Sequence, residues 1–524
     1  TGNSLDQFDR LYAKAKVKFE LDGDRANEGE AYGAAGRIVL NQSDLLVVVW
    51  DGDDPAGKGG TVETLELAVQ YSVPVLWISA NAPHHWQMIE SKDDLECLKG
   101  KGPCIPEPSS VTLDAAVRKV VRSELSHPVA PPPGPHEHHA KPEKTVTAAD
   151  YFAETKPRWN LALFWKFFRN LVGSSEFSIP KPRVKDYVAA IAPAWPIPEE
   201  VPTIPATEGW ANKNLRTHYA WSDKLADRYG DAYRSTYLFI YLAAAFAVFL
   251  ALLPMASGSE DAKFICVPGE FVLLSGITFL LFWEDHHRWH KRWMAYRVLA
   301  ELIRQLKCLL PLGGGPPIAR APEYLASFGN PAQTWMYWHL RAIARATGIP
   351  SPVVVTPNYL IDCLNYLHKL LSDPKDGQIV FHDTSHHRNE RLNHRLHVFG
   401  LWMFGLTLLC IAVHLVPLAA PELAEALGLP AIENWLTLAC ATLPAIGAAM
   451  GGISNQGEFS RIAKRSHAMK SALDRHRGEI AALRAKSQAL SLSEVADLAD
   501  RVTQLMVDEV VEWRVIFSER RPTA

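Results

Sequence analysis

Residues 237 to 256, YLFIYLAAAFAVFLALLPMA, contain no charged side chain. A helix rises about 1.5 Å per residue, so a run of this length crosses the roughly 30 Å hydrocarbon layer of a bilayer. Three further runs are similarly apolar, with Glu270 their one charged residue: 264 to 283 (FICVPGEFVLLSGITFLLFW), 397 to 417 (HVFGLWMFGLTLLCIAVHLVP) and 435 to 453 (WLTLACATLPAIGAAMGGI). They form two hairpins with short inner connections, separated by the mostly polar stretch 284–396. The pattern predicts an all-α membrane domain of four transmembrane helices, built as a repeated two-helix unit. Four buried core helices of a soluble protein are the alternative, and the flanking charges oppose it.

Those charges are asymmetric. Lys224, Arg228 and Arg234 precede the first hairpin and Arg288, Lys291 and Arg292 follow it; Arg388, Arg391 and Arg395 precede the second, and Arg461, Lys464 and Arg465 follow it. The inner connections carry Glu260, Asp261, Glu422, Glu425 and Glu433, with Lys263 the basic exception. The positive-inside rule then places both chain ends and the middle segment in the cytoplasm, with Trp283, Trp289, Trp402 and Trp435 at the depth of an aromatic belt. A net charge of −3 over 524 residues gives no electrostatic reason to expect a nucleic-acid polymer as partner. The seven cysteines form no CxxC pair, so free thiols on a reducing face are expected, without a cysteine metal site.

Residues 1–126 read as an α/β unit. VKFEL at 17–21 suits a short strand, and a helix leads to Asn41. The run LLVVVW at 45–50 suits a strand buried on both faces of a parallel sheet. After it come Asp51-Gly52, a Gly-rich loop ending Gly59-Gly60-Thr61, a helix to Tyr71 and a strand at 73–79. In an open α/β sheet a ligand sits at the carboxyl ends of the strands, where glycines let backbone N–H groups approach an anion. A plain turn and N-cap is the other reading of Gly59, Gly60 and Thr61. Arg37, on the helix before the central strand, is placed to pair with a phosphate or to be solvated.

The string AYGAAGRIVLNQSDLLVVVWDGDDPAGKGGTVETLELA resembles the SLOG superfamily, Rossmann-like nucleotide-binding domains related to cytokinin-releasing phosphoribohydrolases and to the cytoplasmic domains of TRPM channels. Ser43-Asp44, Asp51-Gly52, Gly59-Gly60-Thr61 and Glu63 carry the likeness. It implies a ligand set of Arg37, Asp51, Gly52, Gly59, Gly60, Thr61 and Glu63. In the hydrolase branch a second acidic residue follows; Thr64 stands there, which favours binding over hydrolysis. SLOG domains open with a strand and a first glycine loop, a segment expected ahead of Thr1.

Residues 127–205 form a linker, Pro-rich at 127–150, whose His136, His138 and His139 lack the preformed geometry a metal needs. Within it, PRWNLALFWKFFRNLVG at 157–173 suits either an interfacial helix or a core helix on the α/β unit. Residues 206–315 and 316–490 hold the two hairpin units, and 491–524 an amphipathic helix with Val495, Leu498, Val502, Met506, Val510, Trp513 and Phe517 on one stripe. No Pro or Gly interrupts 284–310, so the second span is predicted to continue into the cytoplasm as one helix.

Trp293, Arg297, Ala300 and Glu301 after the first hairpin, Gln378, His382, Arg391 and Leu396 before the second, and Asn455, Gln456, Phe459 and Arg461 after it resemble the SLATT family, two-transmembrane effectors associated with SMODS nucleotide cyclases and SLOG sensors. Gly447 and Gly451 form a GxxxG, suited to contacts between copies or within one chain. Glu270 is the acid within a predicted span, lining a pore or marking its outer surface. His382 and His386 are i, i+4, yet a metal there is not expected.

The resemblances together imply a bacterial inner-membrane effector of a conflict or anti-phage system. It would bind a nucleotide-derived messenger, a cyclic oligonucleotide or an ADP-ribose derivative, and form or open a pore as a homo-oligomer in the lipid bilayer. No catalytic residue, metal or resident cofactor is expected. The alternatives are a membrane-tethered nucleotide hydrolase using Glu63 and a ligand-independent scaffold.

Overall fold

The computed structural model describes residues 2–23, 25–52, 59–71, 73–99, 112–125, 145–160, 162–173, 179, 181–192, 195, 212–316, 334–486 and 490–518, the side chains of 2–3, 123–125, 212–213 and 513–518 apart. The linker histidines and the middle of the Gly-rich loop lie outside these residues.

The chain opens with α1 (Gly2–Lys14), β1 (Phe19–Glu20), α2 (Glu28–Asn41), β2 (Leu46–Trp50), α3 (Thr61–Gln70), β3 (Val75–Ser79), β4 (Trp86–Ile89), α4 (Lys92–Leu98) and α5 (Leu113–Leu125). β2 and β3 pair in parallel from Leu46↔Val75 to Trp50↔Ser79, joined through α3, and β4 adds antiparallel to β3. The sheet is small, and β2 is its edge. Leu46, Val48 and Trp50 pack with Val62, Leu65 and Ala68 of α3, whereas Val47 and Val49 remain 57% and 61% exposed. The apolar run is therefore buried on one face rather than two, because α5 reaches only as far as Leu76 and Met88 on the other side. Cys97 is disulfide-bonded, against the expectation of free thiols.

Three short helices follow: α6 (Ala148–Phe152), α7 (Phe164–Val172) and α8 (Tyr187–Ile191). Thr147 and Asp150 form a capping box that starts α6. α7 buries Trp165 and Phe168, with the Trp165 ring stacked 6.0 Å from that of Phe459 and its backbone N–H donating to Ser235 Oγ at 3.0 Å. Its Phe164, Phe167 and Leu171 are exposed. The helix thus packs on the helical body, not on the α/β unit, at the level where the first apolar run begins.

That body comprises α9 (Thr217–Ser257), α10 (Glu260–His287), α11 (Trp289–Leu309), α12 (Trp335–Thr347), β5 (Val353–Val354), α13 (Pro357–Ser372), α14 (Gln378–Ala419), α15 (Pro421–Ala426), α16 (Glu433–Gly457), α17 (Phe459–Lys486) and α18 (Leu492–Ser518). α9, α10, α14 and α16 hold the four stretches long and apolar enough to cross a membrane. The order recurs: a long helix, a returning span, a break and an outer helix, as α9–α10–α11 and as α14–α16–α17. The sets meet where α9 packs on α16. Gly452 permits this approach, since a Cβ there would collide with the Tyr241 ring.

The long helix expected after the second span is interrupted. Arg288 adopts φ 54°, its N–H closing α10 on the Glu284 carbonyl at 2.7 Å while Glu284 Oε1 accepts from His290 N at 3.3 Å to start α11. A left-handed non-glycine is held by its surroundings, and α6 supplies them. Arg288 donates to Asp150 at 2.7 Å and to the Thr145 carbonyl at 2.6 Å. Buried Glu154 accepts from Arg292 at 2.6 Å and from Tyr229 and Tyr296. Glu458, at φ 51°, makes the same break between α16 and α17.

The stripe of α18 is covered by its own chain. Val495, Leu498, Val502 and Met506 join a core with Leu309, Leu360 and Leu364, and Val510 joins that of α11; Trp513 and Phe517 lie outside the described side chains.

Candidate functional site

The predicted ligand loop leaves β2 at Asp51 and Gly52, both exposed, and returns at Gly59, Gly60 and Thr61 to begin α3. Gly60 is the N-cap and offers no side chain, so the first-turn N–H groups of α3 have no internal acceptor. Glu63 reaches back and accepts from Gly59 N at 2.7 Å. This is the turn-and-cap geometry, and a carboxylate at a helix N-terminus is favoured by the helix dipole. Thr61 is exposed beside it.

Gly59 is required by two constraints. Its φ is +78°, and a Cβ would collide with the Gly29 carbonyl oxygen of α2. Gly33 faces the same glycine, and a Cβ on Gly36 would lie 2.7 Å from Thr64 Oγ1. Glycines on α2 thus let the loop and α3 settle directly on that helix. Thr64, which stands where the hydrolase branch has its second acid, is a packing residue here.

Arg37 is brought elsewhere. It donates from Nη1 to Asp497 of α18 at 2.5 Å, and the cavity beside it, shared with Asn41, Leu492 and Asp500, is about 20 Å³, the size of one water. Burial pushes the Asp500 carboxyl up to about 6 despite the nearby Arg37 guanidinium. Asp44, three residues past the end of α2, accepts from Arg341 at 2.8 Å and Arg345 at 3.2 Å of α12, and Arg345 also donates to the Asn41 and Ser43 carbonyls at 2.7 and 2.9 Å. Burial opposes the charge on Asp44, yet the two guanidinium groups hold its carboxyl below the ordinary range. Further joints are Ile38 against Gly313, Gln42 Nε2 donating to the Gly314 carbonyl at 3.2 Å, and β1 paired in parallel with β5. Arg341 and Arg345 were not singled out from the sequence. Their i, i+4 spacing is visible there, but nothing local names a partner some 300 residues upstream.

Among the membrane candidates, Gly447 packs within the chain, close to the Gly400 carbonyl and the Phe404 ring of α14, whereas Gly451 faces open space. Glu270 lies inside α10, beyond Pro268, half-buried, and makes no hydrogen bond or ion pair among the described residues. α10 exposes Phe264, Ile265, Phe271, Val272, Phe279 and Phe282. The nearest approach to a metal-ligand set is His386, His387 and Glu390, whose donor atoms lie within 4.8 Å of one another. His386 Nδ1 already meets the Ala463 carbonyl at 2.9 Å, and His382 is buried apart from them.

Four apolar helices of spanning length, continued by a large helical body, define the class: a multi-pass membrane protein. A family described as "Protein of unknown function (DUF4231)" matches residues 217–316, from the start of α9 to just past α11, one complete three-helix set. No curated protein and no solved structure matches the chain.

Proposed function

We propose that the chain is a bacterial inner-membrane effector of a conflict or anti-phage defence system, in which a SLOG-type α/β unit binds a nucleotide-derived messenger and tandem SLATT-type units form or open a pore. The observation that carries this reading is the continuity between loop and membrane. Gly59 rests on α2; α2 and the residues after it grip α12, α18 and the turn after α11; and α11 follows the α10 span after one residue. A messenger phosphate at the α3 N-terminus would compete with Glu63 for the Gly59 N–H and displace the loop against α2. A ligand favouring one arrangement of α2 thereby favours one arrangement of the spans. Four helices enclose no wide channel, and the apolar outer face of α10 suits lipid or a neighbouring copy, so a homo-oligomer is the conducting form.

The test is dye efflux from liposomes holding the full chain, with cyclic oligonucleotides and ADP-ribose derivatives applied in turn. Thr61→Glu is the informative variant, because a carboxylate at that position suits the helix dipole but repels a phosphate. Efflux with one ligand, reduced at least about tenfold in this variant, is expected, a tenfold loss corresponding to about 1.4 kcal/mol. A ligand that binds the wild type without efflux would overturn the pore, and turnover lost in Glu63→Gln would point to hydrolysis.

A further inference from the structure

A cavity with polar walls lies away from the loop, between α9 and α11 of the first set, α13, and α14 of the second set. It measures about 570 Å³, within the range of small-molecule sites. Lys307 of α11 lines it and is only 4% exposed, yet among the described residues its ammonium makes no hydrogen bond or ion pair and lies 4.5 Å over the Trp195 ring. Arg388 of α14 also lines it and likewise has no carboxylate or hydrogen-bond partner among the described residues. Arg304 donates to Glu301 at 2.6 Å and Gln378 at 3.0 Å, leaving its buried Nε without an acceptor. Of the acids lining the cavity, Asp223 is engaged by Lys224 and Arg297, Asp227 by Lys224, and Asp373 by the backbone N–H groups of Lys375 and Asp376, while Asp376 is exposed to solvent and the lining also holds Lys369 and Lys375. Burial pushes the Lys307 ammonium down to about 8, the direction a cation takes when no counter-charge compensates its desolvation. A buried cation without a partner is costly to fold, and a bound anion removes that cost.

We propose that this cavity binds a soluble phosphorylated anion of nucleotide size or smaller, held by Lys307 and Arg304 from one helix set and Arg388 from the other. The source is solution rather than lipid. Gln378 opens α14 about 28 Å along the axis from His397, where the apolar run starts, Tyr219 lies a similar distance before Tyr237 on α9, and Arg388, nearest to the membrane of the three cations, is still about 14 Å from His397. The headgroup layer extends only several ångströms beyond the hydrocarbon core. The site is distinct from the α3 loop, and its occupant would tie the two three-helix sets together.

Titration calorimetry of the full chain in detergent with inorganic pyrophosphate, at constant ionic strength against sodium chloride, tests this. Saturable binding is expected in the wild type and in Thr61→Glu, retained in Lys307→Arg, and weakened at least about tenfold in Lys307→Met and in Arg388→Gln; tenfold corresponds to about 1.4 kcal/mol. Should Lys307→Met fail to fold, Arg388→Gln decides alone, since that arginine is only half-buried. Absence of saturable binding, binding unchanged in both cavity variants, or binding lost in Thr61→Glu alone would overturn the proposal. So would Lys307-dependent flotation with phosphoinositide vesicles in the absence of pyrophosphate binding.

Discussion

The two three-helix sets share an order of elements but not a role. Sixteen of the 21 residues of α11 are buried, against six of the 28 of α17. α11 is enclosed by α9, α12, α13 and α18, while α17 lies along the outside of the body. Their breaks differ in the same sense. Arg288 is clamped by Asp150 of α6 and the Thr145 carbonyl just before it, a segment on the path from the α/β unit, whereas Glu458 is met by Arg461 of the helix it precedes at 3.3 Å. The first set is therefore the hub to which the other parts attach, and the second leans on it through α9 and α16. The family match covering only the first set falls on this hub.

The sharpest test of that contrast is charge removal at the two buried glutamates. Glu301 bridges Arg297 and Arg304, both at 2.6 Å and both shielded from solvent. Glu301→Gln leaves the Arg304 guanidinium short of a counter-charge and Arg297 with only its pair to Asp223, and is expected to cost about 3 kcal/mol in thermal unfolding. Glu458→Gln weakens the pair with Arg461, which is half exposed, and should cost less than Glu301→Gln. Equal losses would break the hub description.

How much of this was legible in the sequence follows from what each feature depends on. The spans are written in runs that are uncharged but for Glu270, because lipid tolerates little else. The β2–α3–β3 order and the start of α3 at Thr61 follow from an apolar run, turn residues and glycines, all local signals. The break at Glu458 has Gly457 beside it as a local signal, whereas the break at Arg288 has no neighbouring Gly or Pro; a left-handed Arg is stable only once Asp150 has been placed beside it from far upstream. Arg37 read as a phosphate contact or a solvated side chain on the basis of its helix alone, and the neighbour that engages it, Asp497, is 460 residues away. The Glu63 cap is local, and its i, i+4 spacing from Gly59 was readable. The cavity at Lys307 was not, since its walls come from four helices.

Glycine substitution at the two breaks sharpens the comparison further. A left-handed non-glycine costs roughly 1–2 kcal/mol of backbone strain, which glycine relieves, less the added freedom of the unfolded chain. Arg288→Gly also removes the Asp150 pair and the Thr145 bond, so a net loss of about 1–2 kcal/mol is expected. Glu458→Gly removes the pair with half-exposed Arg461 and should cost less than Arg288→Gly. Melting curves that drop equally in both variants would show that the clamp from α6 contributes nothing.

The α/β unit grips both sides of the hub, through α18 and through α12, and the two grips should respond oppositely to pH. On the α18 side the raised carboxyl of Asp500 makes its contribution to stability complete below the unfolded value near 4, and lost as pH rises through about 6. Asp500→Asn should therefore stabilise the chain by on the order of 1 kcal/mol at pH 7.5 and change little at pH 4. Unfolding midpoints with the same mutational difference at both pH values would reject burial as the cause.

On the α12 side the sign reverses. Arg341 and Arg345 hold the Asp44 carboxyl below its ordinary value, so its stabilisation is present above the unfolded pKa and is lost as pH falls through the lower, folded one. Asp44 is partly exposed, at 40% of its side chain, and screening limits the pair to about 0.5–1 kcal/mol. Asp44→Asn should lower the melting temperature slightly at pH 7, with no effect once the pH is well under 4. Because Arg345 also holds the Asn41 and Ser43 carbonyls, Arg345→Ala should cost more than Asp44→Asn. In a double-mutant cycle the two changes should show coupling that fades on acidification; coupling that persists at low pH would mean that the backbone contacts alone dock the α/β unit on this side.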